Sequence, residues 1–272
     1  MAAHTDIASV DFGRTADDYA RFRGGFPQPF FERLASAFDV GLPGQRLLDV
    51  GTGTGALARA FAGCGCDVAA IDLSAELLEQ ARRLDRDAGV RVEYLERSAE
   101  ASGLPAASFE AVTAGRCWHW FDRRAAADEV RRVLAPGGTL VIAHFDRVRP
   151  SPRGLLEATD ELIRRWNPAW ADSPPIRFGG GVGVYPAWLT DVGAAGFRDV
   201  ETFSFDVDVP YTHESWRGRV RSGGGVGGTL PEDELPRFDA ALAGLLAERF
   251  EDEPIVVTHR AFAVVARAPL GG

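Results

Sequence analysis

The feature that most constrains the fold is a glycine-rich turn between a short apolar run and a stretch of helix-forming residues. The apolar run is 45–50, the turn Gly-Thr-Gly-Thr-Gly is 51–55, and the helix-forming stretch is 56–62. This order is typical of the first half of a βαβ unit. A second apolar run, 67–72, ends in the acidic residue Asp72. The sequence therefore predicts two parallel strands joined by a helix, with glycines where the first strand ends.

The same alternation of strands and helices continues along the chain. Ser74 is a helix N-cap candidate, and proline and glycine at 136–138 predict the end of a helix. The predicted strands are 91–95, 110–114, 139–145, 200–209 and 255–266, and the predicted helices are 75–86, 123–134, 155–166, 187–195 and 233–250. We predict an α/β fold, a Rossmann-like doubly wound sheet of seven strands, mostly parallel with an antiparallel edge strand.

Two segments interrupt this pattern and are rich in proline or glycine. We interpret 146–185 and 210–250 as cap or lid insertions on a cofactor-binding core at 11–145, within one domain spanning 1–272. Glycine runs at 179–183 and 223–228 predict flexible loops that close over a site.

Charge and cysteine content narrow the classes of partner. The 39 acidic and 30 basic residues leave a net charge of −9, which works against binding to nucleic acid or to an anionic membrane. The three cysteines, Cys64, Cys66 and Cys117, form neither a disulfide framework nor a zinc-ligand pattern, so we predict no metal. Because the sequence shows neither a targeting segment nor an 18-residue apolar run, we expect a cytoplasmic protein. We expect this protein to be a monomer or a homodimer.

The glycine turn favours an extended cofactor that approaches the backbone closely. Gly51, Gly53 and Gly55 lack the Cβ atoms that would block it, and Asp72 can accept hydrogen bonds from ribose hydroxyl groups. The spacing Gly51-x-Gly53-x-x-Ala56 also satisfies the loose dinucleotide pattern. A nicotinamide-dependent oxidoreductase therefore remains an alternative, although the chain lacks an evident Tyr-x-x-x-Lys pair.

The run 48–55 resembles the first motif of class I S-adenosylmethionine-dependent methyltransferases, and Asp72 falls where that family keeps its ribose-binding acid. Later segments agree with the resemblance, which covers about 11–145; they are 98–100, 104–105, 108–110, 118–122 and 132–140. The His-Trp-Phe-Asp element and Tyr19-x-x-x-Arg23 look like the small-molecule subgroup that is similar to trans-aconitate methyltransferases.

The resemblance implies S-adenosylmethionine as the cofactor and a set of residues around it. These are Tyr19, Arg23, Asp49, Gly51, Thr52, Gly53, Gly55, Asp72, Leu73, Ser98, Ala99, Glu100 and Arg116. In the family, Asp49 and Gly51 would lie near the methionine moiety and Asp72 and Leu73 beside ribose and adenine. Residues 98–100 would border the adenine, although the family usually has aspartate at the position of Ser98. Tyr19, Arg23 and Arg116 would hold the cofactor carboxylate, with a purely structural role as the alternative for Tyr19 and Arg23.

Methyl transfer from a sulfonium is an in-line displacement that needs alignment of the reactants, with a base only for hydroxyl or amine acceptors. His119, after the fourth strand, and His144, at the end of the fifth, are the candidate catalytic residues. Packing against a helix is the alternative for His119. Trp118, Trp120 and His213 are candidates to contact a small-molecule substrate. A protein that binds the cofactor without turnover is the remaining alternative.

Overall fold

The computed structural model describes residues 10–11, 13–172 and 182–270. The strands are Arg46–Val50 (β1), Asp67–Asp72 (β2), Glu93–Glu96 (β3), Phe109–Gly115 (β4), Leu134–Arg147 (β5), Arg198–Tyr211 (β6) and Ile255–Arg267 (β7). The helices are Ala16–Phe22 (α1), Gln28–Phe38 (α2), Ala56–Gly63 (α3), Ala75–Ala88 (α4), Arg123–Val133 (α5), Leu155–Trp166 (α6), Ala187–Ala194 (α7), His213–Arg221 (α8) and Leu235–Arg249 (α9). Short 3-10 turns lie at Gly13–Thr15, Trp118–Trp120, Pro152–Gly154 and Pro168–Asp172.

The strands form one seven-stranded sheet in the order β3-β2-β1-β4-β5-β7-β6. Strand β1 pairs in parallel with β2 and β4, β2 with β3, and β4 with β5, and antiparallel strands complete the edge. The inner strands are continuous apolar runs because helices cover both faces of such a sheet. The predicted α/β fold is confirmed.

The chain divides into two compact units. The first contains Met1–Gly24, Asp146–Gly183 and Asp206–His259, and the second contains Gly25–Phe145, Val184–Phe205 and Arg260–Gly272. Nearly all of both predicted cap segments belongs to the first unit. Residues 11–24, which the sequence analysis grouped with the cofactor-binding core, belong to the first unit as well. The role of the cap segments as a lid stays a prediction.

Each unit has its own apolar core. In the second unit, Trp118 and Trp188 are almost completely buried among side chains of β4, β5, α5 and α7. In the first unit, Trp216, Phe238 and Phe250 are completely buried with leucines of α6 and α9. Large buried aromatic side chains of this kind dominate the apolar surface removed from water.

Local capping signals explain several helix boundaries. The hydroxyl of Ser74 accepts a hydrogen bond from Leu77 N at 3.2 Å, as an N-cap does, and Gly89 ends α4 in a left-handed conformation. Helix α8 was not predicted. It begins with a capping box between Thr212 and Ser215, a signal that lacks the usual Glu or Gln.

Two predictions, one for a strand and one for a loop, are corrected by the structure. The fifth strand begins at Leu134 and includes Pro136, whereas the sequence placed the strand start at residue 139. The glycines of 223–228 were expected in a flexible loop; the structure instead buries most of this run in hydrogen-bonded turns, with Val226 only 1% exposed. Of the run 179–183, residues 179–181 lie outside the described residues.

Candidate functional site

The glycine turn after β1 has one side against the protein and another that is open. Gly51 and Gly53 both have left-handed backbones, with φ of 62° and 57°. A Cβ atom on Gly51 would lie 2.8 Å from Cys117 Cβ and from Phe121 Cζ, which is an overlap. A Cβ atom on Gly53 would meet nothing within 4 Å. Packing behind the turn thus requires Gly51, whereas Gly53 leaves its backbone accessible to a ligand.

Asp72, the last residue of β2, holds this turn in place. Its Oδ2 accepts a hydrogen bond from Gly53 N at 2.7 Å, and its Oδ1 accepts one from Ser74 N at 3.0 Å. Burial raises the pKa of Asp72, and the two backbone N–H groups act in the opposite direction. A carboxylate offers about four acceptor positions, so Asp72 can hold the turn and still accept from a hydroxyl group of a ligand.

The residue after Asp72 presents an exposed apolar surface. Leu73 is 71% exposed, an unusual state for leucine, and it follows the half-buried carboxylate of Asp72. The segment after the neighbouring strand β3 contains Ala99, which is buried, and Glu100. Glu100 Oε1 accepts from Asp122 N at 3.0 Å, and Glu100 Oε2 accepts from the Ser98 hydroxyl. A carboxylate and an apolar surface side by side fit the ribose and the base of a nucleoside.

Asp49 lies at the end of β1 in a buried polar network. Its two carboxylate oxygens accept hydrogen bonds from the hydroxyls of Thr52 and Thr113, both at 2.6 Å. Burial raises the pKa of Asp49 to about 6, and the two hydroxyls only partly offset this effect. Thr113 was missed by the sequence analysis. The available signal was a hydroxyl in the apolar run of β4, which the strand register places opposite Asp49.

The raised pKa of Asp49 predicts a defined pH dependence of stability. The folded state binds this proton more tightly than the unfolded chain, whose pKa is near 3.8, so the contribution of Asp49 is lost as pH rises from about 4 to about 6. The free energy of unfolding of the wild type, relative to Asp49→Asn, should fall by roughly 3 kcal/mol over this range. Urea unfolding at four pH values measures it.

The matched control is Asp67→Asn. It removes an exposed carboxylate at the first residue of β2, the end of the strand opposite to Asp72. Its unfolding free energy should follow the wild type at every pH. Parallel curves for wild type and Asp49→Asn would contradict the assignment of a raised pKa.

An ion pair supports the end of the glycine turn where α3 begins. Arg59 on α3 donates to Asp85 Oδ1 on α4 at 2.9 Å and to the carbonyl oxygen of Thr54 at 3.0 Å. The Asp85 side chain is only 6% exposed. Removing either partner would leave a buried charge, so the pair fixes the turn relative to both helices.

The segment after β4 contains several of the predicted site residues. Arg116 has φ of 62°, a strained conformation for a non-glycine residue, and its guanidinium lies 5.6 Å from the ring centre of Phe26. Trp118 is completely buried, and its indole N–H donates to Asp191 at 3.0 Å. The structure thus gives Trp118 a packing role, and its contact with a substrate stays a prediction, as does that of the half-buried Trp120.

The two candidate catalytic histidines lie in one row of stacked rings. The ring centroids of His119 and His144 are 5.7 Å apart, and His144 stacks on Tyr185 at 4.6 Å. Tyr185 in turn stacks on Trp188 at 4.2 Å. Both histidines are buried, and His144 lies inside β5 and not at its end. Tyr185 was not predicted at the site; the available signal was an aromatic residue that closely follows the glycine run 179–183.

Three predicted site residues belong to the first unit, whereas the glycine turn belongs to the second. The guanidinium of Arg23 lies 4.6 Å from the ring centre of Tyr19, and its Nε donates to the Ser222 hydroxyl at 3.2 Å. His213 Nε2 lies 2.7 Å from the carbonyl oxygen of Phe250. The roles predicted for these three residues stay predictions.

Within the described ranges, no three His, Cys, Asp or Glu side chains come together as metal ligands would. The helices described above are all too short or too polar to cross a membrane.

Comparison with known proteins identifies the family. A sequence profile of the methyltransferase domain matches residues 48–142, from β1 into β5. A ubiquinone biosynthesis O-methyltransferase of Xanthomonas campestris is 39% identical over 186 residues, which are 67% of this chain and 72% of that enzyme. An uncharacterized methyltransferase of Mycobacterium tuberculosis is 32% identical over 169 residues, 62% of this chain, and the match spans only 63% of that relative's length.

A solved structure shows the same fold. Phosphoethanolamine N-methyltransferase 2 of Haemonchus contortus, in complex with S-adenosyl-L-methionine, matches 94% of this chain and 57% of that chain with a TM-score of 0.54. At 19% identity this match supports the fold alone. Because the similarity to the Xanthomonas enzyme takes in most of both chains, this protein belongs to the class I S-adenosylmethionine-dependent methyltransferases.

Proposed function

We propose that this protein transfers the methyl group of S-adenosylmethionine to a small-molecule acceptor by in-line displacement. The observation that carries the proposal is Asp72, which holds the open glycine turn through Gly53 and lies beside the exposed Leu73. Family membership supports it, since relatives include an O-methyltransferase of ubiquinone biosynthesis. The net charge of −9 favours a small molecule over nucleic acid.

The residues around the turn would bind and orient the cofactor. When bound, S-adenosylmethionine supplies an electrophilic methyl group on its sulfonium. Asp72 would accept hydrogen bonds from the ribose hydroxyls, and Leu73 and Ala99 would cover the base. Gly53 would let the methionine part approach the backbone, with the buried Asp49 behind it. Because the leaving group is built into the cofactor, alignment of the reactants supplies most of the rate enhancement.

An acceptor that must lose a proton needs a base within hydrogen-bond reach. We assign this role to His119, in the 3-10 turn after β4, or to His144, within β5; the centroids of their rings lie 5.7 Å apart. In an acceptor whose reacting group is a carboxylate, neither histidine would act as a base.

Thermal unfolding with candidate ligands tests the cofactor class. At about 100 times their dissociation constants, S-adenosylmethionine and S-adenosylhomocysteine should each stabilise the protein by roughly 2.7 kcal/mol, a rise of several degrees in Tm. NADH at the same concentration should leave Tm unchanged. Stabilisation by NADH alone would overturn the proposal. Mass spectrometry of acceptors incubated with protein and cofactor then separates turnover from binding without turnover.

A further inference from the structure

Helix α5 holds the segment 98–104, which follows β3, at two points within the second unit. At the first, the backbone N–H of Asp122, the N-cap of α5, donates to Glu100 Oε1 at 3.0 Å. At the second, Ser102 donates to Glu129 Oε1 through its backbone N–H at 2.8 Å and through its hydroxyl as well. These pairs are separated by 22 and 27 residues in the chain. The position of the segment therefore depends on α5.

The contact with Glu129 is charged and largely removed from water. The Glu129 side chain is 11% exposed and Ser102 only 1%. Arg132, one turn further along α5, donates to Glu129 Oε2 and to the carbonyl oxygen of Leu104, both at 2.7 Å. Hydrogen bonds from Arg132 and Ser102 lower the pKa of Glu129 to about 2, so the group is a carboxylate at neutral pH. Removing it would leave the buried donors of Ser102 without their acceptor, which favours displacement of the segment.

The segment leaves the sheet beside Asp72. Arg97, the residue before the segment, donates its backbone N–H to the carbonyl oxygen of Asp72 at 3.0 Å. Strands β2 and β3 are parallel, with Asp72 opposite Glu96, so the segment begins at the same edge of the sheet as the glycine turn. A nucleoside whose ribose is bound by Asp72 would therefore have its base close to this segment.

Within the segment, the hydroxyl of Ser98 has its proton engaged. It donates to Glu100 Oε2 and accepts from Glu100 N, the second bond at 3.1 Å. A hydroxyl has one donor and two acceptor positions, so these two bonds leave one acceptor position. Toward a ligand, Ser98 can then accept a hydrogen bond but not donate one. Such a group favours an amino substituent on a base over a carbonyl oxygen.

We propose that Glu129 is a positioning residue for base selectivity: through Ser102 it places the segment 98–104 so that Ser98 accepts from a 6-aminopurine and disfavours a 6-oxopurine. Glu129 acts through Ser102 and not by contact with the ligand. This inference rests on the proposed methyl transfer and concerns the same cofactor site. A displaced segment no longer presents its acceptor to the base, so loss of Glu129 should change the selectivity between bases as well as the stability.

Calorimetric titration of the whole protein with S-adenosylhomocysteine and with S-inosylhomocysteine tests the inference. The two ligands differ in the purine, where an oxygen replaces the amino group. The wild type should bind S-adenosylhomocysteine about ten-fold or more tightly than its analogue, the effect of one hydrogen bond. In Glu129→Ala this preference should fall to about two-fold or less, because the acceptor that distinguishes the two bases is displaced.

The matched control is Asp128→Ala. It removes a carboxylate from the preceding residue of α5, where the side chain is 42% exposed and pairs with Arg124. This variant should keep the wild-type preference. Ser102→Ala removes the hydroxyl at the other end of the contact and should lower the preference as Glu129→Ala does. Urea unfolding reports whether each variant is folded, and Ser102→Ala decides the question if Glu129→Ala is not.

Three results would overturn the inference and leave the proposed function in place. The first is equal affinity of the wild type for the two ligands. The second is an unchanged preference in a folded Glu129→Ala variant, even if its stability is lower, and the third is the same loss of preference in Asp128→Ala. Failure of S-adenosylhomocysteine to bind the wild type would instead overturn the proposed function, and this inference with it.

Discussion

Replacing Gly53 by alanine should leave the fold nearly intact and lower the affinity for S-adenosylhomocysteine at least 100-fold. The new Cβ atom meets no protein atom within 4 Å, so the fold loses only the roughly 1 to 2 kcal/mol of a left-handed alanine. That Cβ atom would occupy the space through which the cofactor approaches the backbone. Calorimetric titration measures the affinity, and urea unfolding measures the stability.

Gly51→Ala is the matched variant, with almost the same backbone conformation. Here the Cβ atom would lie 2.8 Å from Cys117 and Phe121, so overpacking adds to the backbone strain. The loss of stability should reach roughly 2 to 5 kcal/mol. Unchanged affinity in Gly53→Ala would show that the open side of the turn is not where the cofactor binds. Equal losses of stability in the two variants would contradict the difference in packing between the two glycines.

Asp72→Asn should also abolish most cofactor binding. The substitution keeps the shape of the side chain but removes the negative charge that strengthens hydrogen bonds from ribose hydroxyls. With about 1.5 to 3 kcal/mol for each hydrogen bond to a charged group, the loss of two weakens binding roughly 100-fold or more. The bond from Gly53 N to Asp72, at 2.7 Å, is weakened as well, so the turn itself becomes less ordered.

Asp67→Asn serves as the control for Asp72→Asn, since it makes the same chemical change in β2 at an exposed position. It should bind S-adenosylhomocysteine with wild-type affinity. Circular dichroism of both variants checks that the fold is retained. If Asp72→Asn binds the cofactor as tightly as the wild type, the assignment of Asp72 to the ribose is wrong.

The sheet of the second unit could be predicted because its information is local. Apolar runs such as β1 and β2 each end in a turn signal, and alternation with helices fixes their parallel direction. Helix α8 could not be predicted in this way. It is short and contains Gly218, where a Cβ atom would overlap the ring of Phe22. That glycine reflects a contact with α1, about 200 residues earlier in the chain.

In the candidate site, too, local features could be predicted from the sequence and long-range contacts could not. The glycine turn and Asp72 are close in sequence, so their spacing alone predicts their association. Thr113 reaches Asp49 only through the pairing of β1 with β4, and Arg219 reaches Asp146 only in the folded first unit. Contacts across such sequence separations depend on tertiary packing, which no local pattern encodes.

The distribution of buried tryptophan gives the molecule a set of internal optical probes. Trp118 and Trp188 lie in the core of the second unit, and Trp216 lies in the core of the first. Indole emission shifts to longer wavelength when the ring meets water. Variants that keep only Trp216 or only Trp188 would therefore report the opening of one unit at a time, without any attached dye.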